Sequence, residues 1–191
     1  MQALVDAGLP VAAVISNRAD AAGLRVAAAR GIATAVVEHA RFASRADFES
    51  ALAERIDGFR PRLIALAGFM RVLAPAFVQR YAGRLLNIHP SLLPAFPGLG
   101  THQRALEAGV KVHGCTVHFV TPELDSGPIV IQAAVAVRGD DSPASLAARV
   151  LEQEHAIYPR AARWFLEDRL LVEHGRVRVK GGDAQLVVSA A

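Results

Sequence analysis

Short apolar runs alternate with helical segments through the first half of this 191-residue chain. Each run is rich in Val, Ile, Leu or Ala and is bounded by loop-forming residues, as in a strand buried on both faces of a parallel sheet. Helix signals lie between the runs, such as Pro75 at a helix start and the helical spacing of Phe48, Leu52 and Ile56. The alternation predicts the α/β class with a doubly wound, mostly parallel sheet. The predicted strands are residues 11–15, 33–37, 63–69 and 85–88.

The second half adds strands whose direction the pattern leaves open. Residues 116–120 and 129–137 are predicted strands joined by the turn-rich segment TPELDSGP, and Ser142 caps a long helix that runs towards Pro159. Residues 170–179 alternate around a His-Gly turn, which predicts a C-terminal β-hairpin. No linker or internal repeat divides the sequence, so residues 1–191 are predicted to form one domain.

The start of the chain departs from the usual doubly wound pattern. Such domains begin with a central strand, and the turn from that strand into the first helix binds phosphate. Here residues 1–7 already resemble the last turns of a helix that Gly8 and Pro10 end, and no strand or Gly-rich turn precedes them. Either the fold starts differently or its first strand is missing.

The composition limits the classes of protein to which this chain can belong. A hydrophobic content of 52% with a mean hydropathy of +0.28 fits a packed globule rather than a disordered chain. No apolar run is long enough to span a bilayer, and no basic segment is followed by an apolar one as in a secretion signal, so we do not expect secretion. The single cysteine, Cys115, lies in a strand-like run and is interpreted as a small buried residue rather than a nucleophile. These features predict a protein of the reducing cytoplasm.

The formal net charge of +3 does not indicate nucleic-acid binding. The arginines that carry it are scattered, whereas nucleic-acid-binding surfaces show basic blocks and interleaved aromatic residues. The charge favours at most the attraction of anionic small molecules. We therefore expect small-molecule substrates and neither a nucleic-acid nor a membrane partner.

A polar pair ends the fourth predicted strand. Asn87 and His89 are two residues apart, so on an extended strand both side chains point to the same face, and Pro90 then ends the strand. Open α/β sheets bind their ligands at the carboxyl ends of strands. The alternative interpretation is a strand that merely ends in a polar cap.

Asp125, in the loop between the fifth and sixth predicted strands, offers a third polar group. An Asp before Ser-Gly-Pro is by itself typical of a turn. Together with Asn87 and His89, however, it completes an acid–base set, because a carboxylate orients an imidazole and stabilises its cation, and an amide donates to an oxyanion. The sequence contains no nucleophile elbow and no zinc-ligand spacing. The set therefore suits acyl transfer in which the substrate supplies the nucleophile.

Three stretches of the chain resemble the phosphoribosylglycinamide formyltransferase family, folate-dependent enzymes of purine synthesis. They are AGFMRVLAPAFV, NIHPSLLPAFPGLGTHQRALEAGVKVHGCTVHFVTPELDSGPIV and QEHAIYPRAARWF, and the match runs from Met1 to about Leu171. Related formyl-transferring and deformylating folate enzymes share Asn-x-His-x-Ser and the Asp loop. They differ from this chain at residues 97–102.

The resemblance implies transfer of a formyl group from 10-formyltetrahydrofolate to the amine of glycinamide ribonucleotide, without a metal. Asn87 and protonated His89 would stabilise the tetrahedral oxyanion. Asp125 would hold His89 and an ordered water that relays the proton. The open alternatives are a hydrolase that releases formate from the same folate, and a truncated domain that binds folate without catalysis.

The resemblance also implies a set of binding residues. Glu154 would contact the ribose hydroxyls, with Met70 and Asn87 also at the substrate. His102 and His118 either line the pocket or are structural histidines, and Gly114 is expected to meet a backbone requirement. The folate-binding positions implied are Met70, Arg71, Val72, Leu73, Val120, Thr121, Glu123 and Leu124.

One departure from the family pattern concerns the start. Family members begin with an apolar strand and a Gly-Ser-Asn turn that binds the substrate phosphate, and Met1 aligns just after that turn. We therefore expect that this strand and turn are missing, so that the chain is a truncated form or a weak enzyme. The expected assembly is a monomer or a homodimer.

Overall fold

The computed structural model describes residues 1–189, which form helices and strands in the predicted alternation. The helices are α1 (Gln2–Asp6), α2 (Ala22–Ala28), α3 (Arg45–Gly58), α4 (Pro75–Arg80), α5 (Thr101–Glu107) and α6 (Pro143–Leu166), with a 3₁₀ turn at His39–Arg41. The strands are β1 (Ala13–Ser16), β2 (Ala33–Val36), β3 (Ile64–Leu66), β4 (Leu85–His89), β5 (Val112–Phe119), β6 (Ile129–Ala136), β7 (Leu170–Glu173), β8 (Arg176–Val179) and β9 (Leu186–Val188).

The main sheet has the order β3-β4-β5-β6-β9. Strand β3 is parallel to β4 and β6 is parallel to β9, whereas β5 is antiparallel to both of its neighbours. Strands β1 and β2 form a separate parallel pair, and β7 and β8 form an antiparallel hairpin. The predicted α/β class is confirmed, with parallel pairing in the first half and mixed pairing in the second.

Two hydrophobic cores lie on opposite faces of the main sheet. Leu85 and Leu86 are both fully buried, but as successive strand residues they point to opposite faces and belong to different cores. On one face, α3 and α4 contribute Phe48, Leu52 and Phe77. On the other face lies α6. Helices on both faces are what make the sheet doubly wound.

Helix α6 is the long helix of the second core. Ser142 caps it by accepting a hydrogen bond from the Ser145 amide at 3.1 Å, and Ser145 returns the bond in a capping box. In its middle, the buried Tyr158 hydroxyl lies within hydrogen-bonding distance of the Leu66 and Leu86 carbonyl oxygens, at 2.8 and 2.9 Å. Tyr158 therefore links α6 to the last residue of β3 and to the second residue of β4.

Several predicted boundaries differ from the structure. Strand β3 ends at Leu66 rather than residue 69, because the chain turns at Gly68 with a φ of +70°. Strand β5 begins at Val112, four residues before the predicted start, and β9 was not predicted. Within residues 1–189, no helix is both long and apolar enough to cross a bilayer.

Strands β1 and β3 line one largely apolar cavity of about 480 Å³. Among the described residues, β1 pairs only with β2 and β3 pairs only with β4, so each has a second edge outside any ladder. Leu4 of α1 and Leu52 and Ile56 of α3 also line the cavity.

Candidate active site

The site is built at the carboxyl end of β4. Asn87 and His89 lie on one face of this strand, and their partners in β5 are His118 and Thr116. His89 is 6% exposed and Asn87 is partly buried. The predicted same-face pair is therefore in place, against a neighbouring strand that is itself polar at this end.

His118 contacts both Asn87 and the backbone of the next residue, Phe119. Its Nδ1 lies 2.9 Å from the Phe119 carbonyl oxygen, which can only accept, so Nδ1 carries a hydrogen. Its Nε2 lies 3.2 Å from Asn87 Nδ2 and accepts from that amide when the ring is neutral. Burial lowers the pKa of His118 and favours this neutral form. His118 is thus fully hydrogen-bonded and fixes the orientation of the Asn87 amide.

His89 is held at both ring nitrogens. Its Nε2 lies 3.0 Å from the Phe96 carbonyl oxygen, so this nitrogen donates. Its Nδ1 lies 3.5 Å from Asp125 Oδ2, in a pair whose side chains are 7% and 9% exposed. Nδ1 is therefore the ring nitrogen available for proton transfer, and it lies beside a carboxylate.

Asp125 reaches this pair from the loop between β5 and β6. It has a φ of +50°, and its Oδ2 accepts a 2.8 Å hydrogen bond from the Gly98 amide. Two residues later, Gly127 lets the loop close onto β5, since a Cβ there would lie 1.8 Å from the Phe119 carbonyl oxygen. The structure thus brings the predicted residues Asn87, His89 and Asp125 to the same end of β4.

The Pro-rich loop after His89 is fixed by two polar residues that were not among the predicted site residues, the buried Thr116 and the partly buried Gln132. Thr116 Oγ1 donates to the Ser91 carbonyl oxygen at 2.7 Å and accepts from the Leu93 amide at 3.0 Å. Gln132 Nε2 donates to the Leu93 carbonyl oxygen at 2.9 Å. Alternation along β5 and β6 could have identified Thr116 and Gln132 as sharing a face.

A second loop, residues 67–74, carries four of the predicted folate positions. Met70 and Val72 are 74% and 59% exposed, whereas Leu73 is buried in the core and the Arg71 guanidinium lies 5.7 Å from the centre of the Phe48 ring. Exposed apolar side chains in a loop beside a polar site form a surface suited to a flat, partly apolar ligand.

Glu49, which was not among the predicted site residues, anchors this loop from α3. The Glu49 side chain is 8% exposed, and its Oε1 accepts from Arg45 Nε at 2.9 Å and from the Ala74 amide at 2.8 Å. Arg45 also donates to the Val72 carbonyl oxygen. The signal available in the sequence was the position of Glu49 on the apolar side of a predicted helix, where a Glu needs a partner.

The remaining folate positions lie in the loop that carries Asp125. The Val120 amide donates to the Leu85 carbonyl oxygen at 3.0 Å, and Thr121 Oγ1 donates to the Glu123 carbonyl oxygen at 3.3 Å. Glu123 is exposed, and Leu124 is 55% exposed. Leu124 thus adds another exposed apolar side chain next to Asp125.

Glu154 and His102 make no direct hydrogen bond to the three central groups among the described residues, although His89 contributes to lowering the pKa of His102. Burial raises the pKa of Glu154 on α6 to about 6, although the Met1 amino group partly offsets this. Among the described residues, no hydrogen bond or ion pair links Glu154 to Asn87, His89 or Asp125. His102 is partly buried and its Nδ1 lies 3.2 Å from His113 Nε2.

The geometry supplies the parts for acyl transfer. Asn87 offers an oriented amide, His89 a nitrogen able to carry a proton, and Asp125 a carboxylate beside it. Within residues 1–189, no group of three or more His, Cys, Asp or Glu side chains could hold a metal ion.

Comparisons with known proteins agree on one family. The family model described as formyl transferase matches residues 2–162. Phosphoribosylglycinamide formyltransferase of Escherichia coli (strain K12) is 50% identical over 187 residues, 95% of this chain and 88% of that protein. The structure of phosphoribosylglycinamide formyltransferase from Coxiella burnetii superposes with a TM-score of 0.90 at 46% identity, covering 98% of this chain and 92% of that one. A formyltetrahydrofolate deformylase from Pseudomonas syringae pv. tomato is more distant, with a TM-score of 0.82 and 32% identity over 90% of this chain and 56% of that one.

Proposed function

Because the chain belongs to the formyl transferase family, among the phosphoribosylglycinamide formyltransferases, we propose that Asn87, His89 and Asp125 carry its transfer of a formyl group to the amine of glycinamide ribonucleotide. The chain is a formyltransferase of purine biosynthesis, and the resemblance drawn from its motifs is confirmed. The hydrolase alternative has only the more distant relative in its favour.

The formyl donor in this proposal is 10-formyltetrahydrofolate. The substrate amine attacks the formyl carbon, a C–N bond forms, and the carbonyl oxygen becomes an oxyanion. Asn87 Nδ2 and protonated His89 Nδ1 donate to that oxyanion. Collapse restores the carbonyl and breaks the bond to the folate nitrogen, which receives the proton lost by the amine through Asp125 and an ordered water.

The observation that carries this assignment is the contact of His89 with both Phe96 and Asp125. Because the Phe96 carbonyl occupies Nε2, the proton-carrying nitrogen is Nδ1, which lies 3.5 Å from Asp125 Oδ2. The nitrogen that would carry the proton therefore lies beside the one carboxyl group of the three.

For the folate we propose the surface formed by residues 70–73 and 120–124. Met70, Val72 and Leu124 support this role, because they are large apolar side chains that are more than half exposed. For the ribonucleotide, we propose that Glu154 binds the ribose hydroxyls, together with Met70 and Asn87. The partial burial of Glu154 supports a carboxylate held ready for hydroxyl donors.

We also propose that the chain as given lacks the first strand of the family. This proposal is supported by the apolar cavity between β1 and β3, where each strand has an edge outside any ladder among the described residues. Unpaired backbone groups cost about 1–3 kcal/mol each when buried. A strand in this cavity would therefore raise stability, and its turn would supply phosphate-binding amides.

The test of this strand is to extend the chain at Met1 by the codons upstream in its own gene. We expect a higher midpoint of thermal unfolding and a lower KM for glycinamide ribonucleotide. No gain in either quantity would count against the proposal.

We further propose that the enzyme acts in the cytoplasm on small molecules, as a monomer or a homodimer. The single buried Cys115 fits a reducing compartment. Analytical ultracentrifugation would decide the assembly, and a trimer or larger ring would contradict it.

The formyl transfer is tested by incubating the protein with 10-formyltetrahydrofolate, with and without glycinamide ribonucleotide, and following the folate absorbance. Turnover that requires the ribonucleotide supports the proposal, whereas turnover without it would indicate the hydrolase. We expect His89→Ala and Asp125→Ala each to lower kcat by about 10²–10⁴-fold while the protein stays folded. Near-normal turnover in either variant would contradict the roles proposed for these residues.

A further inference from the structure

One short backbone segment, residues 96–98, holds both members of the acid–base pair. The Phe96 carbonyl oxygen lies 3.0 Å from His89 Nε2, and the Gly98 amide donates to Asp125 Oδ2 at 2.8 Å. His89 comes from β4 and Asp125 from the loop after β5, so no regular element fixes their mutual distance. Because this segment contacts both side chains, its position helps to fix that distance.

The segment has an unusual conformation. Phe96 has a φ of +53°, in the left-handed region that residues with a side chain rarely adopt, and Gly98 and Gly100 follow at +77° and +67°. A non-glycine residue remains in this region only where its surroundings hold it there. The groups that hold Phe96 to Gly100 in this conformation come from the neighbouring elements.

Arg104 of α5 contacts residues 96–99 from the solvent side. Its Nη1 donates to the Pro97 carbonyl oxygen at 2.6 Å and lies 3.4 Å from the Leu99 carbonyl oxygen. Its guanidinium carbon lies 5.7 Å from the centre of the Phe96 ring. From the interior, the buried His113 ring meets the Phe96 ring edge-on, with 6.0 Å between ring centres.

We propose that Arg104 is a positioning residue for the formyl transfer. It touches no reacting atom; it holds the 96–100 backbone so that Phe96 fixes His89 and Gly98 fixes Asp125. A planar guanidinium suits this task, since it can donate to carbonyl oxygens while stacking on an aromatic face, which an ammonium group does less well. The inference rests on the roles proposed above for His89 and Asp125.

The test compares Arg104→Met with Gln103→Met. Gln103 is an exposed neighbour on the same helix whose side chain donates to Glu107 at 2.7 Å, away from the segment. We expect Arg104→Met to lower kcat by about tenfold or more with both KM values within about twofold, because small misplacements of reacting groups cost rate rather than binding. Arg104→Lys should restore part of the rate, and Gln103→Met should match the parent.

A double-mutant cycle with His89→Ala separates positioning from a general structural role. In the His89→Ala background, Arg104→Met should cost clearly less than in the parent, because one of the two groups it positions is gone. The ¹⁵N NMR signals of the His89 ring should also shift in Arg104→Met alone. Equal losses in both backgrounds, or an unchanged kcat, would overturn the inference. Full activity in His89→Ala alone would instead overturn the proposed role of His89.

Discussion

Asn87 Nδ2 lies 3.2 Å from His118 Nε2, across the antiparallel pairing of β4 and β5. This contact uses one of the two amide hydrogens and aims the other away from the histidine. Because the opposite ring nitrogen of His118 donates to the Phe119 carbonyl oxygen, the ring cannot rotate without losing a hydrogen bond. A neutral, buried histidine therefore sets the direction of the proposed oxyanion donor.

The first prediction concerns this contact. His118→Leu should lower kcat by about 10–10²-fold, since it releases the amide whose orientation the proposed oxyanion site requires. His118→Gln retains an acceptor and should lose less. Steady-state kinetics on both variants, with circular dichroism to confirm folding, measures the difference. Equal rates in His118→Leu and the parent would show that the contact has no role in catalysis.

The sequence was most informative where local chemistry and chain position coincide. Asn87 and His89 could be paired from strand periodicity alone, because both follow an apolar run and precede a proline. Asp125 could be assigned to the site only because a carboxylate complements Asn87 and His89 chemically, and because of the family resemblance. The structure then places it beside His89 through the Gly98 amide, a contact between segments far apart in sequence.

The supporting residues were harder to predict for a physical reason. Glu49, Thr116, Gln132 and Arg104 act on loops through the backbone carbonyls and amides of those loops. Such contacts leave no spacing signal, because any residue can supply a backbone group. The short β9 was missed for a similar reason: a three-residue run gives too little periodicity to distinguish strand from loop.

The second prediction addresses the loop that carries Met70 and Val72. Glu49→Ala should leave the Ala74 amide and Arg45 without their buried acceptor and lower the free energy of unfolding by about 1–3 kcal/mol. A loosened loop should raise the KM for 10-formyltetrahydrofolate about fivefold or more while kcat changes little, because the loop binds but does not react.

Glu54→Ala is the matched control, since Glu54 lies on the same helix but is exposed. Urea unfolding and steady-state kinetics on both variants provide the comparison. If Glu49→Ala lowers kcat and leaves that KM unchanged, the loop does not serve the folate as proposed.

The third prediction concerns Gly114 in β5, which was expected to meet a backbone requirement and does so by close approach. A Cβ at this position would lie 1.9 Å from the Ala133 carbonyl oxygen of β6. Gly114→Ala should therefore force β5 and β6 apart and lower the free energy of unfolding by at least about 2 kcal/mol. Gly58→Ala, where nothing lies within 4 Å, should instead be neutral or stabilise by about 0.5–1 kcal/mol. Similar unfolding midpoints for the two variants in urea would contradict the close approach.

The fourth prediction uses the pH dependence of stability at Glu154. Burial raises the pKa of this carboxyl from 4.5 to about 6, so the folded protein holds the proton more tightly than the unfolded chain. Its contribution to stability is present below pH 4.5 and is lost as the pH rises through 6. Glu154→Gln imitates the protonated form, so its stability relative to the parent should rise as the pH passes from 4.5 to 6 and should exceed the parent's by about 1 kcal/mol above pH 6. Urea unfolding of both proteins from pH 4 to 8 measures this gain, with Glu152→Gln at an exposed site of the same helix as the control. A difference between Glu154→Gln and the parent that stays constant across this range would show that Glu154 titrates alike in the folded and unfolded states.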